Sequence, residues 1–270
     1  MERLHPSKNQ VSVLQEEGFP VISKDVAEAI QATQNPTHKN SSYHHSSMTG
    51  NKTNGTYHKR RQLALRWKKL FCGHENENYS TDYQVAPFRV SSKCCYYTKE
   101  KPLDFWAKQH RSFPYMGMMA SEGGRRQNFI TKNGCNYYGK TTTRSCPFAT
   151  WTRQDLLQLA LDMDEWADKQ GLLSEWSLDS IIPAVYGEIR RRPTGELYTT
   201  EAQRTGCTMC GFGIHIEKRP HRFDRLRTQN PKQWEFWMYK CVTDPETDEQ
   251  YGWGLVLDYI GVGWQDDPYG

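Results

Sequence analysis

The sequence predicts an α/β protein whose C-terminal part is a helical subdomain gathered around cysteines. Short strand-like runs alternate with amphipathic stretches of helical period, and helix-start signals recur at Ser23, Thr152 and Pro231. A glycine-flanked C-x-x-C, Cys207 and Cys210, stands in residues 204–223, RTGCTMCGFGIHIEKRPHRF. Its glycines let the backbone curl around an inorganic centre without Cβ clashes.

Residues 8–34 read as a strand-like stretch, a turn at Gly18 and Pro20, and an amphipathic helix capped by Ser23 with Val26, Ala27 and Ile30 on one face. Residues 35–80 shift to Asn, Ser, Thr, His and Gly and read as a long polar insertion. Its histidines, His44 and His45 among them, read as solvated loop residues, and only KRRQLALRWKKLFC (59–72) reads as a helix, with a basic face. Further on, a helix is expected over 103–110, a buried strand over 115–120 and a short strand within NYYGKTTTRSCPFATW (136–151). A helix then begins at Thr152 with Asp155 completing a capping box, and Leu156, Leu157, Leu159, Ala160, Leu161 and Met163 form its core side. A short helix is expected over 176–186, a basic turn over 190–196, and helices over 220–226 and 231–239 with prolines in their first turns.

The chain of 270 residues can bury one sizeable core. Its 36% hydrophobic and 24% charged residues exclude a disordered chain, and no apolar run approaches the ~18 residues of a membrane helix. With a polar amino terminus, this reads as cytoplasmic, with no membrane partner. A formal charge of +4 is too slight to require nucleic acid, though a pI of about 8.5 suits anionic ligands. Eight cysteines, two pairs of them at ligand spacing, read as metal chemistry in a reducing compartment, so the sequons at Asn40, Asn51, Asn54 and Asn78 are expected to stay unmodified.

Two thiolates are an incomplete site, and the adjacent pair Cys94-Cys95 in SSKCCYYTKEKP is the candidate to complete it. Adjacent side chains diverge, so they serve different irons of a [4Fe–4S] cluster more readily than one tetrahedral zinc. Zinc and metal-free thiols remain the alternatives. Cys135 and Cys146 read as packed thiols or spare ligands.

Five segments in order, GFPVISK (18–24), KCC with KEKP (93–102), MASEGGRR (119–126), CPFATWTRQD (146–155) and RTGCTMCGFG (204–213), resemble the phosphoadenosine phosphosulfate (PAPS) reductase family. These are the sulfonucleotide reductases of the adenine-nucleotide α-hydrolase superfamily. The resemblance implies a three-layer parallel-type sheet. It implies a cluster on Cys94, Cys95, Cys207 and Cys210, and a substrate that is an adenine nucleotide bearing sulfate or phosphate. Ser23 and Lys24 would lie near that nucleotide, while Glu122, Arg125 and Arg126 match the family's E-S-x-x-R anion motif, with Gly123 in place of its serine.

Two family features are missing. No S-G-G-x-D-S phosphate loop occurs, and no cysteine follows Cys241, where the family carries the nucleophile within E-C-G-L-H. The expectation is therefore a split or partial member, inactive alone, lacking the first strands of the sheet. A protein partner would supply the phosphate loop and a thioredoxin-like donor the electrons. Its segments would be 1–34, a remnant of the nucleotide-binding domain; 35–80, the insertion; 81–200, the second half of the α/β domain; and 201–270, the C-x-x-C subdomain. Two other readings stay open: an iron–sulfur sulfurtransferase acting on nucleic acid or a small molecule, and a non-catalytic, metal-stapled interaction module.

Overall fold

A computed structural model describes residues 3–51, 62–73, 84–139, 143–172, 186–201, 206–266 and 268. The chain begins with α1 (Gln10–Glu17), β1 (Val21–Ile22), α2 (Lys24–Gln34), α3 (Ser41–Thr49) and α4 (Leu65–Phe71). A π-helical turn (Tyr96–Glu100) runs into α5 (Lys101–Gln109), and a 3₁₀ turn (Ala120–Glu122) precedes α6 (Gly124–Asn133). Next come β2 (Asn136–Tyr138), β3 (Thr143–Ser145), α7 (Arg153–Lys169), β4 (Ile189–Arg191) and β5 (Leu197–Thr199). The last elements are β6 (Gly211–Phe212), α8 (Arg222–Gln229), α9 (Pro231–Tyr239), β7 (Val242–Thr243), β8 (Gln250–Tyr251) and α10 (Trp253–Tyr259).

The protein is thus mixed α/β with a small parallel sheet, and it divides into two compact units, Met1–Leu103 with Cys207–Gly270, and Asp104–Gly206. Residues 1–34 and 207–270, expected in separate segments, belong to the same unit, together with the insertion at 35–80 and residues 81–103.

In the first unit β1 lies parallel to β6, Val21 opposite Gly211 and Ile22 opposite Phe212. On its other side Phe19 bridges Val90 in parallel: the Phe19 amide donates to the Arg89 carbonyl at 2.8 Å and the Ser91 amide to the Phe19 carbonyl at 3.0 Å. Parallel strands bury both faces, and Phe19, Val21, Ile22 and Val90 are all buried. Trp253 meets Phe19 and Phe223 edge-on at 5.0 and 5.2 Å, in a core that includes Ile30, Phe71 and Leu257. Two glycines permit the close approaches: a Cβ on Gly18, whose φ is +112°, would stand 2.3 Å from the Arg89 carbonyl oxygen, and one on Gly211 would stand 2.5 Å from the Trp253 ring.

Several expectations are corrected here. The stretch at 8–17 is the helix α1, capped by the Asn9 side chain accepting from the Ser12 amide, because Val13 and Leu14 fall on the face that meets the core. Part of the polar insertion is the helix α3. The Ser46 and Ser47 hydroxyls donate to carbonyls one turn back, at Ser42 and Tyr43, which lets both serines and Met48 be buried. Within the 59–72 helix, the described helical residues are those of α4, where buried Lys68 donates from Nζ to the Met48 carbonyl at 3.0 Å. Pro220 precedes α8, which His221 caps. Cys241, which the sequence places mid-helix, lies just past the end of α9.

In the second unit, the strand expected over 115–120 is reduced to one isolated bridge, Tyr115 to Ser145, with the Tyr115 ring largely in solvent, residues 116–119 at least partly exposed and Ala120 already in the 3₁₀ turn. The basic turn at 190–196 is the antiparallel pair β4–β5, in which Arg190 pairs with Glu188 and Arg191 donates to the Gly195 carbonyl and to Gln158. The helix expected over 176–186 falls largely on 173–185, outside the described residues. α7 begins as expected: the Thr152 hydroxyl accepts from the Asp155 amide, and the Asp155 carboxylate accepts from the Thr152 amide at 2.7 Å. Of its expected core side, Leu157 and Ala160 are buried, joined by Ala167, and the other four are half exposed. Thr152→Ala removes one half of this box and should cost about 1 kcal/mol, seen as a lower urea midpoint at unchanged slope.

Candidate functional site

The sheet of the first unit sets both cysteine pairs. The chain leaves the strand segment at Val90, turns at Ser91, whose hydroxyl accepts from the Lys93 amide at 3.1 Å, and enters a helix that opens with Cys94 and Cys95. Cys207 and Cys210 sit on a tight turn, closed by the Cys210 amide donating to the Cys207 carbonyl at 3.0 Å, immediately before β6. Pairing of β6 with β1 therefore fixes Cys210 from one side of the sheet, while the Phe19–Val90 bridge fixes Cys94 from the other.

The four sulfurs lie within electrostatic reach of one another. Burial pushes the Cys94 thiol up to about 12, and Cys95, Cys207 and Cys210 each add to that rise. Burial also raises Cys210, opposed by a hydrogen bond from the Phe212 amide to its sulfur and by the nearby Arg222 guanidinium. Lys99, on the π-helical turn, donates a hydrogen bond to Cys207. Burial works to lower its ammonium, but the charges it shares with Cys207, Cys95 and Cys210 raise it overall. Arg222 donates to the Cys210 carbonyl at 3.1 Å and is oriented by Glu217 at 2.8 Å.

Among the described residues no set of three or more His, Cys, Asp or Glu side chains is gathered as a single metal ion requires. His44, lowered by burial and by His45, shares in no such set. The remaining thiols of this unit are used in packing. Cys72 donates to the Thr33 hydroxyl at 3.2 Å, and buried Cys241, also pushed up to about 12 by burial, donates to the Trp237 carbonyl at 3.3 Å. Phe223, Leu226 and Trp237 are core residues of the same unit, and Trp234 packs at its edge.

Ser23 and Lys24 follow the C-terminal end of β1. The Ser23 hydroxyl accepts from the Val26 amide at 3.2 Å and so caps α2, while the Lys24 ammonium pairs with Glu100 of the π-helical turn at 2.7 Å. Just before them Ile22 holds φ at +63°, a conformation that costs a β-branched residue strain and recurs at functional turns.

Glu122, Arg125 and Arg126 belong to the second unit. They lie at a helix start rather than the expected strand end: Gly123 and Gly124, with φ of +72° and +56°, join the 3₁₀ turn to α6. Glu122 accepts from the Met119 amide at 3.2 Å and forms an ion pair with half-exposed Arg126. Burial lowers the Arg125 guanidinium.

Lys99 and Arg222 were missed as functional residues by the sequence reading. A signal for Lys99 existed, since a residue four places after Cys95 faces the same side of a helix. For Arg222 there was none, because its contact is with a backbone carbonyl brought near by the fold. Comparison with family models, with curated proteins and with solved structures returned no match.

Proposed function

We propose that the chain is a sulfonucleotide-reductase-like iron–sulfur protein. The observation that carries this reading is the convergence of Cys94-Cys95 and Cys207-Cys210 beside the Lys99 ammonium and the Phe212 amide. The donor set fits a [4Fe–4S] cluster: four thiols, with cationic and N–H groups directed at the sulfurs to offset the charge of a thiolate-bound centre. When bound, such a cluster supplies a redox-active inorganic centre whose potential its hydrogen bonds and solvent exposure set.

The chain's own residues would do the following. Lys99 holds positive charge at Cys207, and Arg222 fixes the turn that presents Cys210. Open α/β sheets take ligands at the C-terminal ends of their strands, so the strained Ile22 and the Ser23-Lys24 turn mark the nucleotide side. The parallel β1–β6 pair and the Phe19–Val90 bridge support the finer proposal of an adenine-nucleotide α-hydrolase type of sheet. Arg126, with Arg125, takes the sulfate or phosphate. The phosphate loop comes from outside these 270 residues, and a thioredoxin-like dithiol is the electron donor.

The test is a calorimetric titration of adenosine 5′-phosphosulfate into the cluster-loaded chain, together with the polypeptide that supplies the phosphate loop. A bidentate guanidinium–anion contact contributes about 1.5–3 kcal/mol, so Arg126→Ala should weaken binding about tenfold or more. Arg191→Ala should do far less, because Arg191 lies on β4, outside the Glu122–Arg126 segment that resembles the anion motif. Equal, negligible losses in the two variants would overturn the assignment.

A further inference from the structure

A second pair of cysteines, in the second unit, stands across an antiparallel ladder. β2 and β3 pair Asn136 with Ser145, Tyr137 with Arg144 and Tyr138 with Thr143. Just past the end of the ladder, one residue before β2 and one after β3, the Cys146 amide donates to the Cys135 carbonyl at 2.7 Å, which continues the pairing and sets Cys135 opposite Cys146. Residues opposed in this way have Cα atoms about 5.5 Å apart and direct their side chains to the same face. That separation lies within the ~4.4–6.8 Å that a disulfide spans. The two thiols also interact electrostatically: the Cys146 thiol is raised by burial and then by Cys135, with Arg144 opposing.

Their surroundings divide the roles. Cys135 is exposed, whereas Cys146 is 1% accessible and packs with Ile130 and Ala149. An oxidant in solution meets Cys135 first, and the sulfur behind it is shielded from everything except that neighbour.

We infer that Cys135 and Cys146 form a reversible dithiol–disulfide pair, with Cys135 as the attacking thiol and Cys146 as the resolving one. The oxidant is a small-molecule disulfide of the glutathione kind. The Cys135 thiolate attacks one sulfur, forming a mixed disulfide and releasing one glutathione as thiol. Cys146 then loses its proton and attacks the Cys135 sulfur, which expels the second glutathione. Two protein thiols become one disulfide, and one glutathione disulfide becomes two thiols. A dithiol reductant reverses the sequence.

The bond would act on more than the β2–β3 pair. The Ser145 amide donates to the Pro114 carbonyl at 3.1 Å, the Met116 amide to the Ser145 carbonyl at 2.7 Å, and the Ala120 amide to the Ala149 carbonyl at 2.9 Å. The strand that carries Cys146 therefore also holds the segment leading into the 3₁₀ turn and α6, and oxidation would pin both together.

The test treats the anaerobically purified full chain with oxidised glutathione, blocks remaining thiols and digests with trypsin without reduction. Cleavage after Lys132, Lys140, Arg144 and Arg153 places the two cysteines in separate peptides, 133–140 and 145–153. These peptides are expected to travel joined, lighter by two hydrogens than their sum, in at least tenfold excess over any other cysteine pairing, and to part on adding dithiothreitol. Cys146→Ala should leave Cys135 carrying glutathione. Cys135→Ser, a substitution at an exposed position, should abolish the linkage and leave Cys146 reduced. Stable glutathione on wild-type Cys135 without linkage would overturn the inference. So would linkage of Cys135 to another cysteine, or linkage that appears only in urea.

Discussion

Anaerobically purified protein is expected to be brown and to carry about four irons with matching sulfide. Cys94→Ser or Cys207→Ser should bring iron content down to roughly a tenth or less, because a neutral hydroxyl replaces a thiolate ligand in each case. Cys72→Ser should keep the full content: that thiol is occupied by the Thr33 hydroxyl at 3.2 Å and contributes nothing to the charge felt at Cys94. Lys99→Ala should retain most of the iron while removing the one ammonium hydrogen-bonded to a cysteine of the quartet among the described residues. Its effect should therefore appear in the midpoint potential, which falls when a cation is taken from beside an anionic centre. One electron's worth of such a change is ~59 mV per tenfold in the equilibrium constant. Colourless protein with one zinc, or equal iron loss in all three cysteine variants, would count against the assignment.

Gly211→Ala should be among the most destabilising single-methyl substitutions in the chain. The new Cβ would lie 2.5 and 2.6 Å from two carbons of the Trp253 ring and 2.7 Å from the Pro20 carbonyl oxygen. None of these can yield at low cost, since Trp253 is fully buried between Phe19 and Phe223, and Pro20 belongs to the backbone beside β1. A loss of about 3 kcal/mol is expected, at the upper end for overpacking. Gly213→Ala supplies the control: a Cβ there meets open space, although its φ of +81° costs about 1–2 kcal/mol of backbone strain. Urea unfolding followed by tryptophan fluorescence separates the two. If Gly211→Ala is no worse than Gly213→Ala, the contact of β6 with Trp253 is looser than described.

The contrast between those glycines shows where sequence reading succeeds and where it stops. Helix starts were legible because a cap is local: Ser23 with Val26, Thr152 with Asp155 and Pro231 at the head of α9 each need only three or four consecutive residues. The α/β character was read from the resemblance more than from periodicity. α1 was not legible, because five of its eight residues are polar and only burial of Val13 and Leu14 decides them. α3 was hidden by serines and histidines that favour turns in isolation and become helical when their hydroxyls bond back to the preceding turn. The strand expected at 115–120 is only a single bridge, because it finds a partner at Ser145 alone, leaves Tyr115 in solvent and passes into the 3₁₀ turn at Ala120. In the candidate site, residue type and spacing drew attention to the cysteines. The Lys99 contact comes from a chain segment brought to Cys207 only through the sheet, and the Arg222 contact from the start of α8, which folds back on Cys210 twelve residues earlier.

That sheet has a temporal consequence. Its strand segment at Gly211 is separated from those at Phe19 and Val90 by the whole of the second unit, which the chain makes in full before it returns to the first. At a synthesis rate of ≈ 5–20 residues per second, the interval between Cys95 and Cys207 lasts roughly 6–22 s. Throughout it Phe19, Val21 and Ile22 lack the strand that completes them, and Trp253 comes later still. The nascent protein thus matures from the inside of its sequence outward: the later-starting unit can finish first. The earlier one waits with an open apolar edge, the interval in which a chaperone has its access.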